Sequence, residues 1–165
     1  MNMKRSGSVL MWSVLWLCAA FPVWAQNSGK DCHPVGGVLM TNIDAIAGQT
    51  NLGPVFGDLK GSVAATILGQ NSDGSYNVQH YWVTSAGDTI KFHQAVLHPT
   101  YPVPGDLNVV AVPWGNYRAD IEPGGTGKFT NATGYIYAFG MLDLHPDKLT
   151  VVLRYSGQVC YGGGD

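Results

Sequence analysis

The stretch YNVQHYWVTSAGDTIKFHQAVLH (residues 76–98) decides the fold. Two runs rich in aromatic and β-branched residues, 76–84 and 88–98, flank Ser85-Ala86-Gly87, and side-chain character alternates along both. Period-two alternation on either side of a Gly-containing break predicts a β-hairpin. With Ala86 and Gly87 as the central turn residues, Ser85 faces Asp88, His80 lies opposite His93, Gln79 opposite Gln94, and Trp82 opposite Lys91. One face then carries Val78, His80, Trp82, Thr84, Thr89, Lys91, His93 and Ala95; the other carries Gln79, Tyr81, Val83, Ile90, Phe92, Gln94 and Val96. The second face is the more apolar and holds no charge, so it is expected to point inward. A slip of one residue would exchange the two faces.

Similar signals recur on both sides of the hairpin. Residues 57–69 read as a strand leading into a turn at Asn71-Ser72-Asp73-Gly74, and 35–43 as a strand near the start. Residues 107–112 and 117–122 are shorter strand candidates, and 98–105, with three prolines, is expected to be a loop. Residues 133–144 and 149–160 form a last hairpin around His145-Pro146-Asp147. The only helical candidate is 42–47. Eight short strands with almost no helical periodicity predict an all-β domain, a closed barrel or a sandwich. The run 133–144 is apolar on both faces, with Tyr135, Tyr137, Phe139 and Met141 on one and Ile136, Ala138 and Leu142 on the other. A strand open to water on one side alternates more cleanly. Another segment or another subunit is therefore expected to cover its outer face.

The chain has 165 residues, of which 45% are hydrophobic and 12% charged, and its formal net charge is −2. Such a composition excludes a solvated disordered chain. No Lys/Arg cluster lies beyond the N-terminus, so there is no electrostatic footprint for nucleic acid. Residues 1–25 have the layout of a secretory signal: Lys4 and Arg5, then an apolar run over 9–21 broken only by Ser13, then Val23 and Ala25 at the −3 and −1 positions before Gln26. The run ends at Pro22, short of the roughly 20 apolar residues of a membrane span. Cys18 follows the bulky Leu15-Trp16-Leu17, which does not fit a lipoprotein signal. The mature domain is thus expected to be 26–165, without a membrane span, and it keeps two cysteines near its ends, Cys32 and Cys160. An even count in an exported chain predicts that they form a disulfide.

Few side chains are candidates for chemistry. Glu122 is the sole glutamate, placed at a strand end before a glycine cluster, where a carboxylate can act as a base. Arg118 and Asp120 share its face, an arrangement that suits an exposed strand with charge pairing equally well. Gln79, Tyr81 and Gln94 are the polar groups of the face assigned to the interior, and a buried Gln must find hydrogen bonds from its neighbours or from a ligand. His80 and His93 form a cross-strand pair on the other face, but two ligands make no zinc site. No metal and no cofactor are expected. Asn131-Ala132-Thr133 is a glycosylation sequon, relevant only in a eukaryotic host.

The segment GGTGKFTNATGY (residues 124–135), with its pattern GGTGxFxxAxG between a strand and a long apolar strand, resembles the allene oxide cyclase and dirigent proteins. Around it, 59–69 before the first turn, the amphipathic hairpin, and a closing strand ending in Arg154-Tyr155-Ser156-Gly157 agree, so the likeness spans roughly 55–160. A phosphate-cradling loop needs a helix after it and a Lys-Ser/Thr ending; here Lys128 precedes Phe129 and a strand follows. The resemblance implies a calycin-type, eight-stranded antiparallel β-barrel, commonly trimeric, whose lumen holds a small hydrophobic molecule and can guide cofactor-free cyclisation or isomerisation. A non-catalytic carrier or envelope protein is the other class to weigh. The proline-rich residues 98–114 depart from the plant pattern, and fold alone fixes no activity. The candidate catalytic residues are Glu122 and Tyr81, and the candidate ligand contacts are Gln79, Phe92 and Gln94.

Overall fold

The computed structural model describes residues 31–46, 49–100 and 102–162. The signal sequence read at 1–25, with Cys18, lies outside the described residues. The strands are β1 (Asp31–Ile46), β2 (Thr50–Gly57), β3 (Gly61–Gln70), β4 (Tyr76–Thr84), β5 (Thr89–Phe92), β6 (Ala95–Leu97), β7 (Pro102–Val103), β8 (Asp106–Val112), β9 (Arg118–Glu122), β10 (Thr133–Asp143) and β11 (Thr150–Tyr161). A single 3-10 turn, Gly127–Phe129, lies between β9 and β10.

These elements close into an eight-stranded antiparallel barrel. β1 to β4 pair in sequence, β10 pairs β11, and β11 returns to β1. β4 pairs β5 beside the turn and β6 farther along, so β5 and β6 are one barrel strand interrupted at His93 and Gln94. Likewise β10 pairs β9 with its first half and β8 with its second, and residues 113–116 bulge out between them. β7 forms a small hairpin with β8, within residues expected to be a loop.

The number of barrel strands agrees with the sequence reading, but the membership differs. β2 was not anticipated, because Gly53 and Pro54 interrupt its pattern. The strand expected at 57–69 is the end of β2, a turn, and β3. The strands expected at 107–112 and 117–122 share one position in the barrel. The helical candidate at 42–47 falls largely within β1, which continues to Ile46 past a register shift beside Asp44, whose φ is +53°.

The central hairpin shows why the expected faces need correction. The Thr84 N–H donates to the Asp88 carbonyl, and the Gly87 N–H to Thr84. The loop therefore has three residues, closed by Gly87 at φ +89°, a conformation that costs glycine little. Trp82 then pairs with Ile90 and Tyr81 with Lys91. The expected register appears only beyond the interruption, where Val78 pairs with Ala95. Along β4 the inward residues are Val78, His80 and Trp82, while Tyr81 and Val83 are exposed. Ile90 and Phe92 point inward as expected.

At the end nearest this turn, Trp82, Phe92, Tyr155, Phe129, Leu59 and Ile90 pack into a solid core. The glycine motif allows the chain to seal that end. A Cβ on Gly125 would lie 2.5 Å from the Thr89 carbonyl oxygen, so only glycine lets this segment fold over β5 with Phe129 beneath it. Cys32 and Cys160, paired in register between β1 and β11, are joined by a disulfide. Among the described residues, no helix is long and apolar enough to cross a membrane.

Candidate ligand-binding lumen

The barrel interior is packed with aromatic rings at the end nearest the 85–87 turn and encloses a small chamber farther along. At the packed end, Trp82 lies 5.5 Å from Phe92 and 5.3 Å, edge-on, from Tyr155, measured between ring centroids. The Tyr155 hydroxyl accepts the Leu59 N–H at 3.0 Å and donates to the Phe56 carbonyl at 3.2 Å, which fixes the ring.

Two residues farther back along β4 stands His80. Tyr117, just before β9 and bridged to Leu97, brings its hydroxyl to 2.7 Å from His80 Nδ1. The rings meet edge-on at 5.4 Å, and Phe92 closes on the other side of His80 at 6.1 Å. Burial pulls the His80 imidazole down to about 4 and pushes the Tyr117 phenol far above its ordinary value. Both are uncharged at neutral pH. Each is a polar group in a nearly apolar space, and each satisfies the other.

Beyond this pair lies a chamber of about 60 Å³. Its walls include Leu39, Val63, Ala65, Val78, Ile136, Ala138 and Leu153, and its polar members are Thr41, Asn51, His80 and Tyr117. Among the described residues, no Asp, Glu, Lys or Arg lines it. Asn51, Ile67, Leu97 and Leu142 also border an outer vestibule of about 230 Å³, rimmed by Ile43, Tyr76, Pro99, Val110 and Leu144. Asn51 Oδ1 accepts the Asp44 backbone N–H at 3.2 Å, which ties this side chain to the kink in β1.

The residues singled out from sequence are mostly elsewhere. Phe92 is buried at the aromatic end, against His80. Gln79 lies half-buried on the outside of β4, where its amide donates to the Phe92 carbonyl. Tyr81 is 52% exposed on the same outer face, and Gln94 is exposed in the interruption between β5 and β6. Glu122 is in register with Lys91, while its neighbours Ala119 and Ile121 point inward, so it too faces out. The expected Gln79–Gln94 and His80–His93 pairings do not form, since His80 is inside and His93 is exposed. Sequence reasoning missed His80, Tyr117, Thr41 and Asn51 as lumenal groups. Trp82 was the available signal: the largest apolar side chain of β4 marks the inward phase, and His80 shares it.

The outer face of β10 is partly covered by the chain itself. Trp114, from the bulge at 113–116, lies 4.8 Å from Tyr137, and the Arg118 guanidinium sits 4.4 Å above the Tyr135 ring while pairing with Asp120. Met141 remains 54% exposed. At the hollow end, His145 Nδ1 lies 2.7 Å from Asp143, a hydrogen bond that raises the His145 pKa.

His80 gives the fold a measurable acid sensitivity. An unfolded histidine titrates near 6.5 and His80 near 4, so between those values the unfolded chain holds more protons. Stability attached to this group is therefore complete above about 6.5 and falls as the pH drops toward 4, by about 3 kcal/mol in full. His145 acts in the opposite sense. Comparing urea unfolding of the native chain and His80→Gln at pH 7 and pH 4 cancels that contribution. The variant is expected to lose much less stability on acidification; an equal loss in both proteins would show that His80 is not the titrating group.

No protein-family model and no curated protein sequence matches the chain. Among solved structures, it is similar to a pterocarpan synthase dirigent protein, at 15% identity over 83% of this chain and 88% of that one, with a TM-score of 0.39.

Proposed function

We propose that the chain is an exported barrel that holds a small hydrophobic molecule in the chamber of its lumen and guides its cyclisation or isomerisation without a cofactor. The supporting observation is the chamber itself, apolar on nearly all sides with a few convergent polar groups. Such a lining is typical of small-molecule sites, where apolar walls supply affinity and a few polar groups set orientation. In this reading the polar work passes from Gln79, Tyr81, Gln94 and Glu122, all on the outside, to His80, Tyr117, Asn51 and Thr41. Export is supported by the leader layout of residues 1–25 and by the Cys32–Cys160 bond, which suits an oxidising compartment. A homo-oligomer, a trimer by resemblance, is supported by an outer apolar stripe in which Val152 pairs with both Met40 and Met141.

A carrier without turnover is the second reading. It is favoured by a chamber wall that, among the described residues, holds neither a carboxylate nor an amine.

Naphthalene serves as the probe that tests lumenal binding. Titrated into the exported protein, it is expected to shift amide resonances of β4, β9 and β10 saturably. Ala138→Leu, which extends a side chain into the chamber, is expected to weaken binding at least tenfold. Shifts confined to outward-facing residues, or an unaffected Ala138→Leu variant, would refute the lumenal site. Once a natural ligand is in hand, its conversion or its unchanged release separates catalyst from carrier.

A further inference from the structure

We propose that His145 is a proton-operated clasp, which pins the tip of the β7–β8 hairpin to the turn between β10 and β11 when the imidazole is protonated and releases it when the imidazole is neutral. The hairpin forms part of the vestibule wall. The clasp therefore regulates the lumenal site, and its bearing on ligand entry rests on that reading.

The backbone leaves the hairpin tip in need of such a contact. The ladder between β8 and β10 runs from Val112–Gly140 to Val109–Asp143. One more backbone bond follows, from the Leu144 N–H to the Asn108 carbonyl at 2.8 Å. The tip, from Val103 to Asp106 around Gly105 at φ +95°, lies past that last rung, and β7 is only two residues long. There His145 stands between two carboxylates of different elements. Its Nδ1 is 2.7 Å from Asp143 Oδ1 at the end of β10, and its Nε2 is 3.6 Å from Asp106 Oδ1 in the hairpin. Both carboxylates are held by their own turns: Asp143 accepts the His145 backbone N–H and Asp106 accepts that of Asn108, each at 3.0 Å.

The tautomer sets the direction of the switch. A carboxylate only accepts, so the short bond to Asp143 puts a hydrogen on Nδ1. A neutral imidazole has no second hydrogen, and Nε2 then turns a lone pair toward Asp106. Two acceptors face each other, and the tip is not held. A second proton makes Nε2 a donor and leaves a cation between two carboxylates. The bond to Asp143, followed by the charges of Asp106, Asp143 and Asp147, raises the His145 pKa above its ordinary value despite some desolvation. Lys148, whose charge acts on Asp143, is paired with Asp147 at 3.3 Å within the same turn. The clasp accordingly closes on the acid side of neutrality and opens on the alkaline side.

Release reaches the vestibule through the hairpin. Val110 of β8, Pro99 ahead of β7 and Leu144 beside His145 all stand in its wall. The Thr100 N–H donates to the Ala111 carbonyl, so fraying of β8 passes directly to the segment that carries Pro99.

Amide exchange of the exported chain at pH 6 and pH 8, expressed as protection factors to remove the intrinsic pH dependence, tests the clasp. Protection of Leu144, Thr100 and the β8 amides is expected to fall about three- to fivefold at pH 8, the scale of a half-exposed ion pair. Protection along the β1–β11 seam is not expected to fall, since the stability attached to His80 is lost on the acid side. In His145→Gln and in Asp106→Asn the fall at the hairpin is expected to vanish. Asp106→Asn is also expected to lower the titration midpoint of His145, read from its ring-proton shifts, which a mere packing role for Asp106 would not do. Hairpin protection that is flat with pH in the native chain, or a fall shared equally by the seam, would overturn the clasp. So would a fall that persists in His145→Gln, or a His145 midpoint unmoved by Asp106→Asn. The native chain decides the question if the variants do not fold. No ligand enters these measurements, so a failed naphthalene titration would refute the lumenal site and leave the clasp to be decided by exchange.

Discussion

Trp82→Ala is expected to lower the unfolding free energy by about 3–5 kcal/mol, the range for removing a large aromatic side chain from a packed interior. Trp82 is 1% exposed and touches both Phe92 and Tyr155, so its loss leaves a cavity walled by rings that other contacts hold in place. Tyr81→Ala, one position away and facing water, is expected to change stability by no more than about 0.5 kcal/mol. Trp82→Phe belongs between these limits and near the lower one. Its smaller ring retains most of the packing, and the indole N–H that it removes has no hydrogen-bond partner in the structure. Urea denaturation of the three variants decides the matter. A large loss in Tyr81→Ala with a small one in Trp82→Ala would mean that β4 faces the other way.

The second large effect lies at the seam of the barrel. The Cys32–Cys160 bond spans 128 residues of sequence, and tethering a loop of that length removes about 5 kcal/mol of chain entropy from the unfolded state. Cys32→Ser/Cys160→Ser is therefore expected to lower the melting temperature by roughly 10 °C or more. Mass spectrometry of an unreduced tryptic digest of the exported protein should show the two peptides linked. Two free thiols, or a double variant within about 1 kcal/mol of the native chain, would count against this account.

The parts of the fold legible in the sequence were those set by local alternation. β4 and β11 have the period-two pattern of strands with one buried face, β10 is a long run apolar on both faces, and each lies close to its expected range. The disulfide followed from cysteine arithmetic. What escaped was controlled by single residues at turns and interruptions. Whether the 85–87 loop has two or three residues depends on the hydrogen bond from Thr84 to Asp88, which composition does not reveal, yet it decides which face of β4 is wet. β2 escaped because Gly53 and Pro54 interrupt its pattern, although Pro54 pairs in register with Ser62. The site inherited both errors. Its histidine was placed outside with the wrong face, and Asn51 lay in a strand that was not anticipated. Tyr117 escaped although it shares the inward phase of Ala119 and Ile121, because the short strand was read for its charges.

The two interrupted strands are neighbours, and this has a consequence for how the barrel breathes. β1 and β11 are laced along twelve consecutive register pairs and a covalent bond, whereas β5 meets β9 at Lys91–Glu122 and Phe92–Ile121, and the rest of this seam is held by the Leu97–Tyr117 bridge and by isolated hydrogen bonds from His93 N–H to the Asp120 carbonyl and from His98 N–H to the Asn116 carbonyl. Local opening concentrates where few hydrogen bonds must break. Amide exchange should thus be fastest along this staircase of short ladders and slowest beside the disulfide, on the far wall. Tyr117 is a rung of the loose side. A fluctuation that separates Leu97 from Tyr117 is expected to loosen one member of the polar pair that lines the chamber. The side wall at Leu97 and Tyr117 is therefore where transient access to the chamber is expected, in addition to its rim.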